Sequence, residues 1–414
     1  MKTYLCIDLK TFFASVECVE RGLDPFKTDL VVADPDRNNG TICLAITPKM
    51  KERGIHNRCR LFEVPKDIKY IIAKPRMNLY IKYSCKIYSI YLKYVSKEDI
   101  FVYSIDECFL DITSYLKLYK KTPIELAKTI IKDVYESTGI TATAGIGTNL
   151  YLTKIALDIT AKHVDSHIGY LDEKLYKETL WDHTPLTDFW QIGRGISEHL
   201  NKLGLHTMRD ISNCNEDILY KEFGINAELL IDHANGKEDV TIKEIKQYKP
   251  KNNSLSNSQI LFKDYNYQDA RKVLIEMIDN LVLILVSKHL YTDNIGFYIG
   301  YSNDETSPTV YSHKLKNNTN SFSEIIDNIL PYYDSLVKYY PIRRIGITFG
   351  NTKDKDNFQE SLFSKDYKDD TKLEETMLNI KKKFGKNSIL RAVSYTEGAN
   401  QRERNKLVGG HNAE

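Results

Sequence analysis

Asp106 and Glu107 set two adjacent carboxylates at the point where an apolar strand pair should turn. Upstream runs Asp99-Ile100-Phe101-Val102-Tyr103 and downstream Phe109-Leu110-Asp111-Ile112, rich in β-branched and aromatic residues. Side by side on a hairpin, two acids repel each other unless a cation lies between them. The plainer use of an Asp in a turn is local hydrogen bonding in water. A third acid favours the cation: Asp8 closes another apolar strand, Thr3-Tyr4-Leu5-Cys6-Ile7, shortly before Phe12-Phe13-Ala14-Ser15-Val16-Glu17. If these strands are neighbours in one sheet, Asp8, Asp106 and Glu107 converge. Three carboxylates supply the hard oxygen ligands that Mg²⁺ accepts alongside substrate phosphates. That is the architecture of two-metal phosphoryl or nucleotidyl transfer.

The elements that must position these acids alternate strand and helix. Strand 3–8 leads to a helix through Glu20, then strands near 30–33 and 41–46, a short helix at 48–54, a strand at 68–73 and a Tyr-rich helix at 77–95. The acid hairpin follows. Thr122-Pro123-Ile124-Glu125 is a capping box with Pro at the first helical position, and its helix should stop at Gly139. A strand at 141–146 and a helix at 150–161 complete a mixed α/β unit. From Pro185 to Phe223 the pattern changes to short helices. Beyond the polar, basic stretch 246–258 come a strand at 255–263, an apolar helix at 268–289, strands at 294–301 and 308–315, a helix at 322–339 and a strand at 342–349. This β-α-β-β-α-β order is a compact α+β module. In the polar remainder, 373–384 reads as a basic helix and 400–414 as disordered.

The chain has 414 residues, enough for two to four domains, with 42% hydrophobic and 28% charged residues typical of a water-soluble fold. Its longest apolar run, Leu281-Val282-Leu283-Ile284-Leu285-Val286, is too short to span a bilayer. Asp8 and Lys10 interrupt any leader, so a cytoplasmic location is expected, with no membrane partner. Seven cysteines stand singly and ten histidines show no ligand spacing, which argues against a disulfide framework and against zinc. Net charge is only +2, but 245–263 and 376–396 carry lysines and no acids, as segments tracking a phosphate backbone do.

Ile7-Asp8-Leu9-Lys10-Thr11-Phe12-Phe13-Ala14-Ser15-Val16-Glu17, with Ser104-Ile105-Asp106-Glu107 and Leu110-Asp111, resembles the Y-family translesion DNA polymerases, closest to UmuC-like members of Gram-positive bacteria. The resemblance implies a multidomain α/β and α+β right hand. Residues 1–10 and 78–166 would be the palm, 11–77 small fingers and 167–243 a helical thumb. A linker at 244–254, a βαββαβ little finger at 255–350 and a polar tail at 351–414 would complete it. It implies lesion bypass with low fidelity and no proofreading, using primer-template DNA, dNTP and two Mg²⁺. Asp8 and Asp106 would bridge the metals, Glu107 would complete the site, and Leu9 would add a carbonyl. Phe13 would exclude a 2′-hydroxyl. Thr47, Lys51 and Lys162 would meet the triphosphate, although Pro48 stands where relatives have tyrosine, Lys51 where they have arginine, and the spacing before Lys162 carries one extra residue. Lysine neutralises charge but lacks the bidentate fork of arginine.

Trp190-Gln191-Ile192-Gly193-Arg194-Gly195-Ile196 resembles a helix-hairpin-helix, with Gly193 and Gly195 exposing backbone N–H groups to a DNA phosphate. Arg343 and Arg344 fall on the closing little-finger strand. Gln359-Glu360-Ser361-Leu362-Phe363 resembles the peptide by which bacterial polymerases dock on the sliding clamp, with Gln359, Leu362 and Phe363 as its anchors. Two other classes compete. A non-catalytic DNA-binding factor would have lost the acids, and a palm-domain nucleotidyl cyclase would need neither the helix-hairpin-helix nor the basic terminal module.

Overall fold

The computed structural model describes every residue except 1, 38–39, 251–252, 304 and 355–367. The clamp-like peptide Gln359–Phe363 therefore lies outside the described residues. The chain divides into two compact units, Met1–Tyr248 with Glu414, and Lys249–Ala413.

In the first unit, β1 (Tyr4–Leu9) passes through Lys10 and a left-handed Thr11 into α1 (Phe12–Val19). A small sheet follows, with β2 (Leu30–Val32) between β3 (Ala45–Ile46) and β4 (Ile71–Ala73), and α2 (Pro48–Glu52) joins β3 towards β4. Next come α3 (Met77–Tyr91), the hairpin of β5 (Ile100–Val102) and β6 (Glu107–Asp111), α4 (Thr113–Tyr119) and α5 (Pro123–Thr138). The capping box forms at Thr122 and Glu125, and Gly139 takes the left-handed cap at φ 71°. Then come β7 (Ala142–Gly147), α6 (Leu150–Ile155), a π turn over Ala156–Thr160 and β8 (Ile168–Leu171). The main sheet runs β5-β6-β1-β7-β8, so β1 is central and pairs antiparallel with both β6 and β7. Its core is continuous with α1, α3 and α5 through Leu5, Ile7, Phe12, Tyr80, Leu110, Ile130 and Ile146.

Glycines bring the helix after β7 close to the sheet. A Cβ on Gly145 would lie 2.2 Å from the Thr153 carbonyl oxygen, and one on Gly147 would lie 2.4 Å from the Thr153 nitrogen. Backbone therefore packs on backbone, and α6 sits directly over the strand that neighbours β1. Short helices follow: α7 (Glu173–Thr179), α8 (Arg194–Lys202), α9 (Met208–Asn213), α10 (Glu216–Phe223), α11 (Asn226–Ala234) and α12 (Ile242–Gln247), most of them around a core with Tyr151, Tyr176, Phe189 and Leu200.

The second unit orders β9 (Leu255–Tyr265), β10 (Leu290–Tyr301), β11 (Thr309–Thr319) and β12 (Ile342–Gly350) as β11-β10-β12-β9, all antiparallel. β13 (Lys353–Asp354) adds to β10. One face packs on α13 (Tyr267–Ser287) and α14 (Phe322–Leu336) through Ile295, Phe297, Ile345, Ile347 and Phe349.

The C-terminal segment corrects the expectation of a disordered end. α15 (Lys368–Phe384) and α16 (Gln401–Arg404) are followed by the hairpin of β14 (Leu407–Val408) and β15 (His411–Asn412). Buried acids of α13 hold the segment. Glu276 accepts the backbone N–H of Asn400 at 2.9 Å, and Asp279 pairs with Arg391, whose guanidinium also meets Glu374 at 2.8 Å and lies over the Phe322 ring. Unpaired, those acids would be costly inside an apolar helix, so the polar segment satisfies what α13 cannot.

Candidate active site

The pairing register sets the acids. Asp8 of β1 lies opposite Glu107 of β6, and the Leu9 N–H donates to the Asp106 carbonyl at 2.9 Å. Directly opposed residues of antiparallel strands share a face, so Asp8, Glu107 and Cys6 project together. Asp106 sits on the turn, where its carboxylate accepts the Ser104 hydroxyl at 2.6 Å.

Electrostatics separates the three acids. Burial, reinforced by the charges of Asp106 and Glu107 and opposed by Lys162 and Lys154, pushes the Asp8 carboxyl up to about 7. Glu107 is buried and already partnered: Lys154 donates to it at 2.8 Å, and the Cys6 thiol donates at 3.2 Å. Burial works to lower the Lys154 pKa; Glu107 and Asp158 outweigh it and raise it. Hard oxygens at Asp8 and Asp106, one of them short of compensating charge, fit a divalent cation such as Mg²⁺. Among the described residues, however, no three His, Cys, Asp or Glu side chains are gathered closely enough to cage a metal. Glu107 is instead engaged by Lys154.

Sequence reading missed Lys154. Its signal was the i, i+4, i+8 spacing of Lys154, Asp158 and Lys162 on one helical face, where Asp158 bridges Lys154 at 3.0 Å and Lys162 at 2.8 Å. The π turn explains the extra residue before Lys162. A π turn holds one more residue than an α turn, and here the Ala161 N–H reaches back to the Ala156 carbonyl. The insertion is absorbed without moving Lys162 off that face.

Phe12 is core, and Phe13 is half-buried, stacked on Tyr80 with ring centroids 4.5 Å apart. The Tyr80 hydroxyl donates to Glu17 at 2.7 Å, and Glu17 also takes Arg76 in a bidentate pair and Arg21. Thr47, expected to meet the triphosphate, has its hydroxyl turned inward. It is buried as the N-cap of α2, donating to the Thr28 carbonyl at 2.7 Å and accepting from the N–H groups of Leu30 and Met50. Lys51 projects from α2, its pKa lowered by loss of hydration and by Lys162 against the pull of Asp8.

The glycines of the candidate phosphate turn work differently from expectation. Gly193 caps α8 in extended conformation and Gly195 lies within the first turn; the left-handed positions are Gln191 before the helix and Gly204 after it. Nothing lies within 4 Å of a Cβ at Gly193 or Gly195, so both leave the helix N-terminus unobstructed. In the second unit Arg343 pairs with Asp264 at 3.4 Å, whereas Arg344 stands exposed on the open sheet face. That face forms a groove of about 710 Å³ with Ser258, Ile260, Tyr298, Val310 and Thr348.

Residues 7–158 match the impB/mucB/samB family, and 252–362 match the C-terminal domain of that family. A putative UV-damage repair protein UvrX of Bacillus subtilis is 33% identical across 99% of this chain and 97% of its own length. The chain belongs to the UmuC/DinB-like Y family. A DNA polymerase IV 2 of Bacillus subtilis is 30% identical, covering 99% of this chain and 98% of that protein. Among solved structures, a Y-family DNA polymerase chimera built on Dbh superposes with a TM-score of 0.62 at 21% identity, over 85% of this chain and 100% of its own. That likeness establishes a right-hand polymerase fold. Among the described residues of this Y-family chain, no helix is long and apolar enough to cross a membrane.

Proposed function

We propose that this chain is a DNA-directed DNA polymerase that extends a primer past damaged template bases. The observation that carries the reading is the Asp8–Glu107 register beside Asp106, faced by the Lys154-Asp158-Lys162 stripe. Acids on two adjacent strands and cations on the covering helix are what transfer of a nucleotidyl group requires, since charge must be met at both the attacking and leaving oxygens. Asp8, Asp106, Glu107 and the Leu9 carbonyl are the residues that would hold two Mg²⁺. Bound there, the metal supplies Lewis acidity at the phosphate. The protein's own groups do the rest: Lys51 and Lys162 receive the triphosphate, and Phe13, braced by Tyr80, blocks a 2′-hydroxyl. Residues 1–10 and 78–166 then act as palm, 11–77 as fingers, 167–243 as thumb and 255–350 as little finger. Gly193, Gly195, Arg343 and Arg344 contact DNA, with Arg344 the stronger candidate because Arg343 has Asp264.

The decisive experiment is primer extension by the purified chain on undamaged and lesion-bearing templates, with Mg²⁺ or with EDTA. Extension with Mg²⁺ that continues past a lesion is expected, and its absence on every template overturns the reading. Docking of Gln359, Leu362 and Phe363 on a sliding clamp is a separate element. Leu362→Ala/Phe363→Ala should abolish stimulation by the clamp and leave unaided extension intact; stimulation that persists removes the clamp from the account.

A further inference from the structure

Lys10 lies two residues beyond Asp8, and its ammonium meets no carboxylate at bonding distance among the described residues. Its contacts are His167 Nε2 at 3.3 Å and the face of Phe26, with Nζ 5.6 Å from the ring centroid. An ammonium only donates, so Nε2 accepts and the ring proton rests on Nδ1. That Nδ1 is buried without a hydrogen-bond partner. Both residues framing the contact are left-handed, Thr11 at φ 45° and His167 at φ 54°, a region that non-glycine side chains rarely occupy. The contact therefore sits between two strained backbone positions and leaves one imidazole nitrogen unsatisfied.

The charged group that acts on Lys10 is another cation, Lys51. After burial, that charge lowers the Lys10 pKa. Lys51 in turn feels the opposite charge of Asp8 first and the like charge of Lys162 after it. Among the described residues, Lys162 alone of the three lysines has a carboxylate within ion-pair distance, Asp158. Like charges gathered in this way are unfavourable until an anion with several charged oxygens joins them. Resting on the polymerase reading, we propose that Lys10, oriented by His167, binds the terminal phosphates of the incoming nucleoside triphosphate. Lysine is a point charge on a flexible stem, and the imidazole and the Phe26 ring restrict that stem. Lys10 is the binding residue and His167 a positioning residue.

A contact to phosphates already present in the bound substrate acts on KM more than on kcat. The test is single-nucleotide insertion by the full chain, with KM and kcat measured separately, together with inhibition by inorganic tripolyphosphate, which offers the phosphates without base or sugar. Lys10→Ala should raise the KM for dNTP about tenfold and weaken tripolyphosphate inhibition about as much, with kcat within about threefold, as loss of one charge-assisted contact predicts. Primer-template affinity should not change, and Lys10→Arg should recover part of the loss. His167→Gln, which keeps an acceptor for the ammonium, should stay near the parent, and His167→Ala should fall between parent and Lys10→Ala. Unchanged KM and inhibition in Lys10→Ala, or a loss confined to primer-template affinity, overturns the proposal. If Lys10→Ala does not fold, Lys10→Met, which keeps the apolar stem, carries the same outcomes. If the parent extends no primer, the polymerase reading fails by itself. Calorimetric binding of tripolyphosphate with Mg²⁺ then decides Lys10: equal affinity in parent and variant overturns its role.

Discussion

In the first unit several charged groups have fixed partners: Glu107 with Lys154 and Asp158 with two lysines beside Asp8, and on α1 Glu17 with two arginines and a tyrosine. The open sheet face of the second unit is built the other way. Ile260 is 62% exposed and Val310 67%, with Arg344, Tyr298, Ser258 and Thr348 on the same groove. The first arrangement fixes charge in a site of low hydration, where each group influences the pKa of the next. The second leaves a broad, solvated surface whose contacts are individually weak and interchangeable. Chemistry at one atom requires preorganised charge, whereas holding a polyanion without reading its sequence requires only accessible cations and surface. Substitutions in the two regions should therefore differ in kind as well as in size.

The largest effect is expected from Asp106→Ala. Rates of Mg²⁺-dependent extension should fall by at least about 10³-fold while primer-template affinity stays within about twofold, because the turn position takes no part in the sheet core. Rapid-quench insertion and an anisotropy titration measure the two quantities, and parent-like insertion would break the contrast between the regions.

Next in size is Glu17→Ala. Removing a fully buried carboxylate strands Arg76, Arg21 and Tyr80, at a cost of about 3 kcal/mol, the low end for a broken buried pair because both arginines are about one-third exposed. The first unit's melting temperature should fall by roughly 6–12 °C. Burial opposes ionisation of Glu17, but Arg76, Tyr80 and Arg21 together hold its pKa below the usual value of 4.5. Its stabilisation is therefore complete above pH 4.5 and is lost as pH falls through the lower, folded value. Melting temperatures recorded downward from pH 6 should drop more steeply in the parent than in Glu17→Gln; parallel curves would contradict the network.

Phe13→Ala should raise ribonucleotide insertion by about 10- to 100-fold and lower deoxynucleotide insertion by less, since a steric exclusion is relaxed instead of an attraction lost. Competition between the two nucleotides at one template position gives the ratio directly, and an unchanged ratio would return Phe13 to a packing role against Tyr80. The smallest effect belongs to the open face. Arg344→Ala should weaken primer-template binding by about 3- to 10-fold and reduce the salt slope by about one ion, whatever the sequence. Arg343→Ala should do less, because Asp264 already takes part of its charge. A larger loss from Arg343 would reverse that order.

Much of this was legible in the chain itself. The Thr122 capping box, the Gly139 stop and the run of strands and helices beyond 255 all form at nearly the expected positions, because caps, turns and apolar periodicity act between residues close in sequence. Asp8 and Asp106 could be singled out because acids at the ends of apolar strands are costly without a purpose. The pairing of Glu107 with Lys154, the burial of Thr47 and the contact of Lys10 with His167 could not be read, since each joins positions that only strand pairing or, for Lys154, the glycine-permitted approach of α6 brings together. The C-terminal segment gives the clearest division. Its composition signals a solvated tail, yet it forms two helices and a hairpin. Docking is decided by Glu276 and Asp279, buried on a distant apolar helix, whose charges must be satisfied by whichever polar chain can reach them. Local sequence determined the elements and the residue types able to do chemistry; burial, which exists only once those elements pack, decided which charges were already taken and which remained for a substrate.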